Sequence, residues 1–109
     1  MTRKSPNLIP LPTAKTPAAP AHLQDPEKRL WAELTASHQF DDPASLALLR
    51  TALESHQRAR RCREQIDRDG EAVRDKWNQI KGHPLLAAER DARASFLSAM
   101  RLLNLDVAS

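Results

Sequence analysis

From Pro43 to Asp69 the chain runs 27 residues with no proline or glycine after the first position, and that stretch constrains everything around it. As an α-helix it would be about 40 Å long. Both ends carry the residues a helix terminus needs. Asp42 can accept the first free N–H groups, Pro43 suits the first helical position, and Gly70 suits the position after the last turn. A helix of that length in a chain of 109 residues cannot rely on propensity alone and needs a partner lying along it.

The partner is legible further on. Leu48, Ala52, Ser55, Ala59, Cys62 and Ile66 recur along the long helix at steps of three and four, a 3.5-residue period carried mainly by small side chains. After His83-Pro84 a second run repeats the device with Leu85, Ala88, Ala92, Ser95, Ala99 and Leu102. Two small-residue seams of similar length predict an antiparallel helical hairpin with closely spaced axes. A flanking stripe of Leu86, Phe96, Met100 and Leu103 is too apolar to face water. It must meet either another helix of this chain or a second subunit. A shorter helix precedes the hairpin: Asp25 can cap it, Pro26 opens it, and Leu30, Trp31 and Leu34 share one face. The expected helices span about 26–39, 43–69 and 84–103. The segment between Gly70 and Gly82 reads either as a short β-hairpin or as an irregular loop pinned by Trp77.

Residues 1–24 differ in kind. They contain five of the eight prolines, together with Arg3, Lys4 and Lys15 and no acid. They read as a disordered arm, either a solvated leader or a basic strand lying along nucleic acid. The remaining residues hold 14 basic and 14 acidic groups, so the formal charge of +3 resides on the arm. The helical remainder, near 84 residues, would bury only about 60–65% of its unfolded surface, which favours association. The fold expected is therefore all-α: a disordered arm, a short helix, and a long helical hairpin that oligomerises.

Catalytic constellations are not found. His22, His38, His56 and His83 are scattered, and no metal-ligand spacing links them to Cys62, the single cysteine. Neither glycine belongs to a phosphate-binding loop. Cys62 lies beside Arg60, Arg61 and Arg63, which could lower its pKa, but its place on the seam reads as that of a small hydrophobe. No catalytic residue, cofactor or metal site is expected. With no disulfide, no signal peptide and no apolar run near 20 residues, the chain reads as soluble and cytosolic, without a membrane partner.

The most visible charged feature is Arg58-Ala59-Arg60-Arg61-Cys62-Arg63. At about 100° per residue its arginines fan around every side of the helix except the seam. Such a cluster can be a solvated, salt-bridged face, a subunit interface, or a set of phosphate contacts. One chain would present few arginines on one side, so a grip on DNA would need an assembly to gather them.

Taken together, Leu30-Trp31-Ala32-Glu33-Leu34, the long helix closing at Asp69-Gly70, the connector ending Lys81-Gly82-His83-Pro84, and the terminal Leu102-Leu103-Asn104-Leu105-Asp106 resemble the small terminase subunits of tailed double-stranded-DNA bacteriophages. The resemblance spans roughly residues 22–106. In that family the last helix often ends Leu-Gly-Leu followed by Thr-Pro. Here Asn104 stands at the glycine, and asparagine also tolerates a left-handed cap. No separate helix-turn-helix module can be marked out in the sequence. The resemblance implies a non-catalytic role in viral DNA packaging in the host cytoplasm, with viral double-stranded DNA and the large terminase subunit as partners and a homo-oligomeric ring as the working form. It implies DNA contacts from Arg3, Lys4, Lys15, Arg58, Arg60, Arg61 and Arg63. Subunit contacts would come from Trp31, Leu34, Phe96, Met100 and Leu103. The alternative is a helical adaptor that uses the same apolar stripe for a foreign protein and ignores DNA.

Overall fold

A computed structural model describes residues 16–105. Its elements are α1 (Asp25–Ser37), α2 (Pro43–Asp69), β1 (Ala72–Arg74), β2 (Ile80–Gly82) and α3 (Leu85–Leu102). The main class is all-α, as expected, with helices α2 and α3 forming the antiparallel hairpin and α1 packed against α2.

The start of α2 follows its sequence signal. The Asp42 carboxylate accepts from the Ser45 amide at 3.3 Å and the Ser45 hydroxyl at 2.7 Å. Its end falls at Gly70, whose φ of +90° is one that a side chain would strain. Helix α1 starts one residue earlier than expected. Gln24 is its N-cap and makes no side-chain cap bond, so Asp25 is a first-turn acid and not the cap. The end of α3 bears out the reading of Asn104. With φ at +60° it lets the Leu105 amide reach the Met100 carbonyl at 2.8 Å and its own amide reach Arg101 at 2.9 Å. This is the pair of bonds that closes a Schellman turn.

The connector is the β-hairpin. Strands β1 and β2 pair antiparallel with Ala72 opposite Gly82, Val73 opposite Lys81 and Arg74 opposite Ile80. Trp77 pins nothing: it sits in the turn and is 70% exposed. The hairpin is fastened at its base by His83. The Leu85 amide donates to His83 Nδ1 at 3.0 Å, so the ring's proton is on Nε2, which donates to Asp69 at 2.8 Å. One imidazole thus caps α3 and ties it to the end of α2.

The seam requires correction on α3. Along α2, Ala52, Ala59, Cys62 and Ile66 are buried and Leu48 is half-buried. On α3, Ala92 and Ala99 are buried, Leu85 and Ala88 are half-buried, but Leu102 is 73% exposed and Ser95 is exposed. The inner face runs instead through Glu89, Ala92, Phe96, Ala99 and Leu103, again at steps of three and four. The expected seam was turned by one residue at alternate positions because it followed small side chains. The true seam carries an aromatic ring and a paired carboxylate.

A second correction concerns the arm. Residues 16–24 are not a disordered extension but a strap folded over α1 and α2. Leu23 is buried against Trp31, Leu49 and Leu53, with Ala19 packed on the same cluster. The Trp31 indole N–H donates to the Pro17 carbonyl at 2.8 Å. Prolines forbid helix here, but they do not forbid an extended strap whose carbonyls meet side-chain donors.

Candidate nucleic-acid interface

The arginine cluster of α2 divides into two pairs with different work. Arg60 and Arg63 lie three residues apart, so they leave the helix about 60° from each other and reach different neighbours. Arg60 turns to α1. Its Nε and Nη2 each donate at 2.9 Å to Glu27, whose side chain is fully buried. His56 Nδ1 lies 2.7 Å from the same carboxylate, and Arg60 also holds Gln24 of the strap and Glu64. Arg63 turns to α3, forking onto buried Glu89 at 2.9 and 2.7 Å. Arg93 meets Glu89 from the next turn at 2.7 Å.

These forks set the acid chemistry. Burial pushes the Glu27 carboxyl up, but hydrogen bonds from Arg60 and His56, with their charges, outweigh it and hold it below its ordinary 4.5. The Arg63 and Arg93 hydrogen bonds hold Glu89 at about 2. Both carboxyls bind protons more readily in the unfolded chain, so the stability they contribute is complete above pH 4.5. It is lost as pH falls from there toward 2. Thermal melts at constant ionic strength should show a falling midpoint over that window. Glu89→Gln should start less stable at pH 7 and lose less on acidification. An equal loss in variant and parent would show that Glu89 does not set the acid response.

Arg60 and Arg63 are thereby structural, and the cations free to act on a ligand lie elsewhere in the cluster. Arg58 and Arg61 are exposed, and among the described residues neither enters an ion pair. They line one open groove with Gln57, Gln65 and Arg68, residues that follow one side of α2. Glu54 and Glu64 border that groove, but each is held, Glu54 by His22 at 2.6 Å and Glu64 by Arg60 at 2.8 Å. In sequence Arg68 lies outside the cluster, at the end of an alternating charged stripe of Arg50, Glu54, Gln57, Arg61, Glu64 and Arg68. Arg3, Lys4 and Lys15 lie outside the described residues.

The expected subunit contacts also move. Trp31 is 4% exposed in the chain's own core, which corrects its assignment to an oligomer interface. Leu34, Phe96 and Leu103 are half-buried against the same core cluster, and the Phe96 ring meets His56 edge-on at 5.1 Å. Phe96 and Leu103 of the flanking stripe thus pack on the core that α2 builds with α1 and the strap. On α3 the apolar side chains that remain outside are Met100, half-buried, and Leu97 and Leu102, 53% and 73% exposed.

Among the described residues no three His, Cys, Asp or Glu side chains converge to hold a metal ion. Cys62 is a free cysteine buried on the seam, and its edge helps line the arginine groove. No helix among the described residues is long and apolar enough to cross a membrane. A family model described as phage terminase, small subunit, matches residues 28–109. No curated protein and no solved structure matches the chain.

Proposed function

Because this chain belongs to the phage terminase small-subunit family, and so to the machinery of phage packaging, we propose that it is a non-catalytic subunit. It binds viral double-stranded DNA as a ring of identical chains and presents it to the large terminase subunit. The observation that carries the DNA contact is the division of the arginine cluster: two members are spent on buried carboxylates, and Arg58 and Arg61 are left facing solvent beside Arg68. A few cations per chain make a weak grip, and repetition around an assembly multiplies it, because each neutralised phosphate adds to the salt-dependent affinity. Arg3, Lys4 and Lys15 would add further cations to the grip. Leu97, Leu102 and Met100 are the apolar side chains that α3 offers for subunit contacts.

Native mass at moderate salt without DNA, followed by duplex titrations at several salt concentrations, tests this reading. A closed assembly of several chains with strongly salt-dependent binding is expected. Arg58→Ala and Arg61→Ala should each weaken binding and reduce the salt slope by about one unit for every phosphate left unneutralised, with little change in melting temperature. Arg60→Ala and Arg63→Ala should do the reverse, lowering the melting temperature first. A monomer that ignores duplex DNA would sink the proposal and favour a protein-binding adaptor.

A further inference from the structure

The β-hairpin presents two large apolar side chains to water on a turn that is built to stay in one shape. Trp77 is 70% and Ile80 66% exposed. The Asp75 carboxylate accepts from the Trp77 amide at 2.9 Å and the Gln79 amide at 3.0 Å, and the Asp75 amide donates to the Gln79 carbonyl at 2.9 Å. Asn78 takes the left-handed conformation at φ +63°, and Arg74 Nη1 donates to its carbonyl at 2.9 Å. Together these bonds hold the turn in one shape with the indole outward.

The formal charges around that apex are mainly positive. Asp75 is an acid whose Oδ1 is turned toward two backbone amides, and Glu71 lies 3.3 Å from Arg63 at the base. Against them stand Arg74, Lys76 and Lys81. Lys76 Nζ lies 4.5 Å from the Trp77 ring centroid. Arg74 and Ile80 are opposite each other in the register and so share a face, while Lys81 lies on the other. An apolar apex with cations on both flanks, on a two-stranded ribbon, has the width and charge for a DNA groove: the major groove, about 12 Å wide, admits such a ribbon. Two side chains are too small a patch for a stable protein interface, which needs about 800 Å² per partner.

We propose that the β-hairpin tip is a second contact with duplex DNA, in which Trp77 and Ile80 meet base edges within the groove and Arg74, Lys76 and Lys81 meet the flanking phosphates. This rests on the DNA-binding reading above but concerns a separate surface, at the opposite end of the helical hairpin from Trp31.

The experiment is a duplex titration of the full chain at several salt concentrations, comparing the parent with Trp77→Ala, Trp77→Phe and Lys76→Ala/Lys81→Ala. Iodide quenching of tryptophan fluorescence is measured with and without DNA. Trp31 is buried and Trp77 is not, so quenching reports mainly on Trp77. Trp77→Ala should bind about tenfold more weakly with an unchanged salt slope, because the interaction it removes is apolar. Trp77→Phe should retain most of the affinity. The double lysine variant should lose about two units of slope, and DNA should shield the parent from iodide. Parent-like affinity in Trp77→Ala with unshielded Trp77 would overturn the tip and leave the α2 surface intact. If Trp77→Ala keeps its DNA affinity but loses native mass, the tip joins subunits and the proposal is wrong. If the parent binds no duplex at all, the DNA reading and the tip fall together.

Discussion

Glu27→Ala is expected to lower the stability of the domain by about 3 kcal/mol, and its melting temperature by more than about 10 °C. The Glu27 side chain is fully buried, and it is the meeting point of three elements: its own helix α1, Arg60 and His56 of α2, and through Arg60 the strap residue Gln24. Alanine leaves the inner side of the Arg60 guanidinium without its buried carboxylate, with half-exposed Glu64 at 2.8 Å as the remaining counter-charge. The side chains of Arg60 and His56 are 24% and 31% exposed, so water can recover part of the loss, and the figure belongs at the low end for a broken buried pair. A helical domain of some 90 residues has about 5–13 kcal/mol in all, so one carboxylate carries a substantial share. A double-mutant cycle checks the assignment. Arg60→Ala alone should also destabilise, and the double variant Glu27→Ala/Arg60→Ala should recover part of the sum, because removing both charges leaves none stranded. Strict additivity, or a melting temperature for Glu27→Ala within about 3 °C of the parent, would show that packing and not the ion pair holds α1.

What the sequence discloses depends on whether a residue's role is local. The bounds of α2 are legible to the residue because Asp42, Pro43 and Gly70 act on the helix ends they adjoin. Asn104 is legible for the same reason. The seam of α2 is mostly legible, but Leu49 and Leu53, wholly buried, are not part of it. A helix that packs on α3 along one side and on α1 along another has two inner faces, and a search for one period finds one of them. Glu27 and Glu89 are invisible as core residues. A carboxylate is buried only when a cation meets it, and the partners lie 33 and 26 residues away. That blindness spreads to function: the four arginines Arg58, Arg60, Arg61 and Arg63 are equivalent as sequence, and only the positions of the two glutamates separate structural from free cations. The strap escapes prediction because composition tells what it cannot form, a helix, and is silent on what it can do with an indole donor nearby.

Trp31 separates the chain's own architecture from its assembly. Trp31→Ala should cost about 3–5 kcal/mol, the range for deleting a buried aromatic side chain from a core, because Leu23, Leu49 and Leu53 close around the ring. In a small domain that loss approaches the whole stability, so the informative variant is Trp31→Phe. Phenylalanine keeps most of the apolar packing and removes the N–H that donates to the Pro17 carbonyl. An unmade bond of this kind is worth about 1 kcal/mol net. Its effect should be local: residues 16–24 should become the first site of protease cleavage while α2 and α3 stay protected. Native mass then decides where the indole belongs. If Trp31 works inside the chain, as its 4% exposure requires, Trp31→Phe keeps the parent's assembly state and loosens only the strap. If the variant instead falls to a smaller species with the strap still protected, the ring is a subunit contact, and the apolar surface joining copies must include α1 as well as Leu97 and Leu102.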